Sequence, residues 1–262
     1  MSTSIDQPGP VDVSICIVNW NGEKLLRPLL RSIDEFTQGL RVEVILVDNF
    51  SSDGSVAMVR EAFPRTILIL NGENAGFSRA NNQAAAAARG RHLFFLNNDT
   101  VMTAGAIATL ARYLDGHADA VMVGPRLMYP DGRFQPSCFA QPTPALALRR
   151  IKMIGWLGPL RRAAHGQPRY SEAGDRDEDV EMIIGAAVMV RREAFEACGR
   201  WDEKYAFCVE DHDLCARLAK LGRLVFVHDS VVLHHGSASA WSWGRVPSSI
   251  RTSASAATGS AL

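Results

Sequence analysis

Four times in the first hundred residues an apolar run stops abruptly at amides or a carboxylate. VDVSICIVNW gives way to Asn19-Trp20-Asn21, and VEVILVDNF ends in Asp48-Asn49. TILILN precedes Asn74 to Gly76, and HLFFLNND ends in Asn97-Asn98-Asp99. Between these runs lie segments with helical spacing. EKLLRPLLRSIDEF places Leu25, Leu26, Leu29, Leu30 and Ile33 on one side, and SVAMVREAF follows the cap-type residues Ser51, Ser52 and Asp53. The alanine-rich FSRANNQAAAAARG is a strong helix former with Gly90 near its end. AGAIATLARYLDGH is a fourth helix and AVMVGPRL a fifth strand. Strands alternating with helices at this spacing predict an α/β fold, a parallel sheet wound by right-handed crossovers. Ligands of such sheets bind at the carboxyl ends of the strands, where the polar stops fall. A bland reading stands beside this one, in which Asp99 or Thr100 caps the following helix.

The alternation then fails. YPDGR, residues 129 to 133, predicts a hairpin. Residues 145–169 are basic and hold no acid, and an acidic run from Glu172 to Glu181 follows. MIIGAAVMV reads as a buried strand. VEDHDLCARLAKLG reads as a helix with its acids in the dipole-favoured first turn, and LVFVHDSVVLHH supplies one or two late strands. Residues 1–10 read as a disordered leader and 240–262 as a flexible or atypical tail.

Bulk properties narrow the function classes. A chain of 262 residues, 47% hydrophobic, can bury a sizeable core. Zero formal net charge argues against non-specific nucleic-acid binding. Five scattered cysteines without a C-x-x-C spacing fit a reduced, cytosolic protein with buried thiols. The first ten residues carry no apolar signal-peptide core, and no window approaches the ~18 apolar residues of a membrane span. No G-x-G-x-x-G follows the first strand, which disfavours a nicotinamide oxidoreductase.

The residues that carry chemistry are Asp48 with Asn49, the Asn97-Asn98-Asp99 triplet, Glu210-Asp211-His212-Asp213, and His234-His235-Gly236. A carboxylate and an imidazole are good ligands for a divalent cation, with a bound diphosphate filling further positions. A second, metal-free carboxylate at a helix N-terminus suits a general base. Together they fit displacement of a nucleoside diphosphate.

The stretches VSICIVNWNGEKLL, VEVILVDNFSSDGS, ENAGFSRANN, HLFFLNNDT, IIGAAVMVRREAF, WDEKYAFCVEDHDLCARL and LHHGSAS occur in this order across residues 12–239. In this the chain resembles the family 2 glycosyltransferases of GT-A fold, and most of all their rhamnosyltransferase-type branch. The resemblance implies a Rossmann-like, mostly parallel sheet flanked by helices, with a smaller mixed acceptor-side region. It implies one domain over 11–239, with a nucleotide-sugar half (11–127) and an acceptor and catalytic half (128–239). It implies an inverting transferase that uses Mg2+ or Mn2+, a nucleoside diphosphate sugar donor (dTDP-rhamnose or a UDP-sugar), and a glycan or lipid-linked acceptor of a cell-surface polysaccharide.

By the same resemblance, Asp48 contacts the nucleobase or ribose and Asn19 lines the nucleotide pocket. Asn74, Gly76 and Asn81 lie under the sugar nucleotide. Asn97-Asn98-Asp99 stands at the D-x-D motif, with Asp99 a metal ligand and Asn97 in place of the first acid. Asp211 matches the catalytic base, and His234, rather than His235, approaches the metal. On the acceptor side, Glu210 orients the acceptor or the base, and Asp202, with Glu203, serves either a turn or the acceptor. The basic segment around Trp156 has three readings: an anionic membrane surface at the inner face of the plasma membrane, a lid over a diphosphate-lipid acceptor, or a solvated loop. Ser237 stands where the family has a second glycine, and the sequence after residue 239 does not match the family's continuation. The rival functions are a nucleotidyltransferase and a non-catalytic nucleotide-sugar binding subunit.

Overall fold

Strand β1 (Val13–Asn19) is buried along its whole length because helices cover the sheet on both faces. Its alternation divides the core in two. Val13, Ile15 and Ile17 face one helical layer, and Cys16 and Val18 face the other. The computed structural model describes residues 10–37, 39–141, 175–205 and 209–236. Residues 1–9, the basic segment 145–169 with Trp156, Ser237 and the tail lie outside that range.

The chain continues through α1 (Glu23–Phe36), β2 (Val42–Asp48), α2 (Ser55–Ala62), β3 (Ile67–Leu70), α3 (Phe77–Ala87) and β4 (His92–Asn97). Then come β5 (Thr100–Met102), α4 (Ala106–Gly116), β6 (Ala120–Met128), β7 (Phe134–Gln135) and β8 (Cys138–Phe139). The remainder is β9 (Glu178–Val180), β10 (Met182–Ile183), β11 (Ala187–Arg191), α5 (Arg192–Ala197), α6 (Glu210–Leu218) and β12 (Arg223–His234). The large sheet runs β3-β2-β1-β4-β11-β6-β12-β5, with β7 beside β6 and β9 beside β12. Strands β3, β2, β1 and β4 are parallel, as are β6 and β12. On one face α1, α2 and α4 bury Leu26, Leu29, Ile33, Met58, Ile107 and Leu110. On the other, α3, α5 and α6 bury Ala80, Ala84, Phe195, Leu214 and Leu218.

The order reverses at β1. From it the chain builds outward to β2 and β3, then returns to place β4 on its other side. The crevice between the carboxyl ends of β1 and β4 is therefore the switch point of the sheet, where ligands of this architecture bind.

Three expectations are corrected. Neither Asp99 nor Thr100 caps a helix: Thr100 opens β5, its hydroxyl donates to the Asn97 carbonyl at 2.8 Å, and α4 begins only at Ala106. MIIGAAVMV is not one strand. It breaks at Ile184-Gly185-Ala186, leaving β10 paired with β8 in a separate two-stranded sheet and β11 in the large one. The parallel order of the first four strands does not extend directly to AVMVGPRL, because β11 inserts antiparallel between β4 and β6. The YPDGR hairpin is present: Tyr129 N–H donates to the Arg133 carbonyl at 2.8 Å, and β7 pairs antiparallel with β6. The late apolar run is a single strand, β12, whose register shifts between Val227 and Val231.

Candidate active site

The site begins with three loops at the carboxyl edge, tied together by their own polar side chains. Asn19 is fully buried, and its Nδ2 donates to Asp48 Oδ1 at 3.0 Å and to Ser51 Oγ at 3.2 Å. Its Oδ1 accepts from Asn98 Nδ2 at 2.9 Å. One amide thus links the ends of β1, β2 and β4. Asp48 also accepts from the Ser51 hydroxyl at 2.6 Å and the Ser51 N–H at 2.8 Å. Gly22 closes against this knot: a Cβ there would lie 2.3 Å from Asn98 Nδ2 and 2.6 Å from Asn19 Oδ1. The glycine of N-W-N-G is required by that close approach.

Asp53 joins the two neighbouring helix starts. Its carboxylate accepts from the Glu23 N–H at the first turn of α1 and from the Ser55 N–H at the first turn of α2, each at 3.0 Å. Burial pushes its carboxyl upward, but the bonds from the Ser55 hydroxyl and these two N–H groups outweigh it and hold the group below the usual carboxylate range.

Two non-glycine residues in these loops take left-handed backbone conformations, Asn21 at φ 50° and Phe50 at φ 67°. For an L-residue this costs roughly 1–2 kcal/mol, and asparagine bears it better than phenylalanine. The third loop is set by Gly76, at φ 81°, whose N–H donates to Asn74 Oδ1 at 3.0 Å. Asn49 Nδ2 donates to the Gly76 carbonyl at 3.1 Å, and Asn49 Oδ1 accepts from Asn71 Nδ2 at 2.8 Å. Asn81 is buried, with its amide turned back to the Phe77 carbonyl inside α3.

Each member of the Asn97-Asn98-Asp99 triplet meets a different element. Asn97 N–H donates to the Ala186 carbonyl at 2.9 Å, just before β11. Asn98 meets Asn19 of β1. Asp99, also buried, meets β12: its Oδ1 lies 3.2 Å from His234 Nε2, and its carbonyl accepts the His235 N–H. His234 is buried too, and its Nδ1 lies 3.0 Å from Gln135 Oε1. An amide oxygen only accepts, so Nδ1 carries the proton and Nε2 is presented to Asp99.

This arrangement fits a divalent cation. A buried carboxylate and a buried imidazole converge, and the imidazole is aimed from behind by an amide oxygen, as metal-ligating histidines are. Among the described residues no group of three or more His, Cys, Asp or Glu is placed to hold a metal ion. A cation held by Asp99 and His234 would need oxygen atoms of substrate and water for its remaining positions.

Asp211 stands in the first turn of α6. Its Oδ2 accepts from Gly185 N–H at 3.3 Å and its Oδ1 from His212 N–H at 2.8 Å. Gly185 precedes Ala186, the partner of Asn97, so two adjacent residues in the break between β10 and β11 connect Asp211 to the triplet. Glu210 is buried and accepts the Val209 N–H at 2.9 Å. Asp213 is structural: it pairs with Arg217 Nε at 2.9 Å, and Arg217 donates to the carbonyls of Cys198 and Arg200. Asp202 accepts the Lys204 N–H at 3.0 Å, the turn arrangement.

Several residues here went unnoticed in the sequence. Gln135 sits in a strand of two residues with no pattern to mark it. Asn82 Oδ1 accepts the Trp201 N–H at 3.1 Å, and its Nδ2 donates to the Trp201 carbonyl and Glu203 Oε1, each at 2.9 Å. A pair of amides on an alanine-rich helix was the available signal. Trp201 stands edge-on to Phe77 and Phe95, with ring centroids 5.4 Å apart in each pair, and lies directly beneath Gly185.

The sequence signature of glycosyl transferase family 2 matches residues 14–199, which contain the whole β1–β4 knot and the β11 insertion. The chain belongs to glycosyl transferase family 2. It is 32% identical over 222 residues to the N-acetylglucosaminyl-diphospho-decaprenol L-rhamnosyltransferase of Mycobacterium tuberculosis, covering 79% of this chain and 70% of the relative. It is 29% identical over 238 residues to the O-antigen biosynthesis protein RfbC of Myxococcus xanthus, covering 88% of this chain but only 18% of that much longer protein. Among solved structures it is similar to GalNAc-T7 with UDP, GalNAc and Mn2+, at a TM-score of 0.64 and 16% identity, over 87% of this chain and 44% of that one. That likeness shows the GT-A fold. The chain is thus a rhamnosyltransferase-like glycosyltransferase.

Proposed function

We propose that this glycosyltransferase is inverting and metal-dependent, and that it moves a sugar, with dTDP-rhamnose or a UDP-sugar as donor, onto a hydroxyl of a lipid-linked or polysaccharide acceptor. The observation that carries the reading is the joining of the Asn97-Asn98-Asp99 triplet to Asp211, through the bonds of Ala186 to Asn97 and of Gly185 to Asp211, while Asp99 of the same triplet meets His234. The relative in Mycobacterium tuberculosis is named for L-rhamnosyl transfer to a diphospho-decaprenol sugar, which supports the donor and acceptor classes.

Asp48, Asn19 and Asn98 form the floor on which the nucleotide rests, and Asn74, Gly76 and Asn81 the neighbouring wall. Asp99 and His234 would hold Mg2+ or Mn2+, which would supply charge compensation for the departing diphosphate, an effect worth several kcal/mol. Asp211 is the base. Each of its oxygens accepts one backbone N–H and keeps a lone pair for a substrate proton. The acceptor oxygen bonds to the anomeric carbon on the face opposite the diphosphate while the bond from that carbon to the diphosphate oxygen breaks. Asp211 takes the acceptor's proton, a contribution of roughly 10²–10⁴-fold. Glu210, at the base of the same turn, and Asp202 lie on the acceptor side.

Among the described residues no helix is long and apolar enough to cross a membrane. We assign contact with the inner face of the plasma membrane to the basic segment 145–169, which lies outside the described residues.

The test is Asp211→Asn. Donor binding by calorimetry should be retained while transfer to acceptor falls by at least 10²-fold. Unchanged turnover would remove Asp211 from the base role. Release of pyrophosphate from a nucleoside triphosphate would replace the whole reading with a nucleotidyltransferase.

A further inference from the structure

Phe50 is the most exposed large apolar side chain among the described residues, at 62%. It also holds a backbone conformation, φ 67°, that a bulky side chain rarely adopts. Both features are unfavourable for the free protein, and the residues on either side of Phe50 are held in place. On one side, Asn49 is fixed by its N–H to the Asn19 carbonyl at 2.8 Å and by its side chain to Gly76 and Asn71. On the other, Ser51 is fixed to Asp48 through both its N–H and its hydroxyl. The loop clamps residue 50 from both ends, and the clamp turns an aromatic ring out toward solvent.

A strained conformation that the surroundings over-determine marks a place where the strain serves a use. Residue 50 lies two positions beyond Asp48, in the loop that the bonds among Asn19, Asp48 and Ser51 hold at the carboxyl edge of the sheet. We infer that Phe50 is a stacking platform for the nucleobase of the donor, a positioning residue that adds affinity and selects for the base end of the nucleotide. The flat face of an aromatic ring accepts any base by stacking, whereas the polar floor beneath offers directional bonds. The two surfaces together grip a nucleoside diphosphate more tightly than its diphosphate alone. This inference rests on the donor reading above.

The experiment uses the full chain, with Mn2+ present, and measures binding of UDP, dTDP, GDP and inorganic pyrophosphate by calorimetry. The proteins compared are wild type, Phe50→Gly and Phe50→Tyr. Glycine suits the left-handed backbone, so Phe50→Gly should melt no lower than wild type. It should bind the preferred nucleoside diphosphate roughly tenfold more weakly while its affinity for pyrophosphate stays unchanged. Phe50→Tyr should retain wild-type affinity. Undiminished nucleotide affinity in Phe50→Gly overturns the platform and leaves the donor reading standing. An equal loss for pyrophosphate also overturns it, since the loop itself would then be at fault. Failure of wild type to bind any of the nucleoside diphosphates overturns the donor reading and the platform together.

Discussion

At the scale of single residues, the site is organised by amides more than by acids. Asn19 is the joint on which the ends of three strands turn, and Gly22 is the residue that lets the joint close. An added methyl at Gly22 would sit between Asn98 and Asn19 and break their bond. Gly22→Ala should therefore destabilise the protein by roughly 1–3 kcal/mol in urea unfolding, the range of an overpacked site. It should weaken nucleotide binding in the same preparation. A variant as stable and as avid as wild type would show that the knot has slack the distances do not suggest. The same scale shows what a sequence reveals. Asn19, Asp48 and the triplet were legible because each interrupts an apolar run. The meeting of Asp99 with His234 was implied by the resemblance alone and not by local pattern, because it depends on β12 lying beside β5, and β5 was unforeseen. The cap reading that stood beside the ligand reading of Asp99 arose for the same reason: a strand of three residues leaves no periodicity to find.

Among the elements, the four parallel strands and their helices followed from spacing alone, because each apolar run is long enough to register and each helix has one buried stripe. The break in MIIGAAVMV did not. Locally it is a continuous apolar run, and only the approach of Asp211 and the Trp201 ring to Gly185 divides it. The opposite end of β4 carries a second burial that local pattern hides. His92 opens the strand fully buried, with Nε2 2.9 Å from Asp115 Oδ1. Burial depresses its pKa, the bond to Asp115 opposes this, and the charges of Arg91 and Arg191 add to the depression. The folded protein therefore binds the His92 proton less readily than the unfolded chain does. This contribution to stability is complete above the ordinary value of 6.5 and is lost as pH falls through the depressed folded value. Urea midpoints should drop between pH 7 and pH 5 more steeply in wild type than in His92→Gln, which keeps a donor for Asp115. Parallel curves would mean that His92 is not the group responsible.

On the scale of the whole molecule, the candidate site sits where sheet topology reverses, and the second half of the chain is folded into the first to complete it. β11 lies against β4 and brings Gly185 and Ala186 to the triplet, β12 brings His234 to Asp99, and α6 brings Asp211. The buried thiols take no part: burial pushes Cys138 and Cys215 up to about 12, far from reactive thiolates. The central claim is that this edge releases a nucleoside diphosphate from a sugar donor with help from a divalent cation. The most direct measurement is nucleoside diphosphate release from a panel of dTDP-, UDP- and GDP-sugars, with and without Mn2+, in wild type and Asp99→Ala. The account predicts slow, Mn2+-dependent release from one donor that falls by at least 10²-fold in Asp99→Ala, consistent with several kcal/mol of lost charge compensation. Release that is indifferent to Mn2+ and undiminished in Asp99→Ala would contradict it.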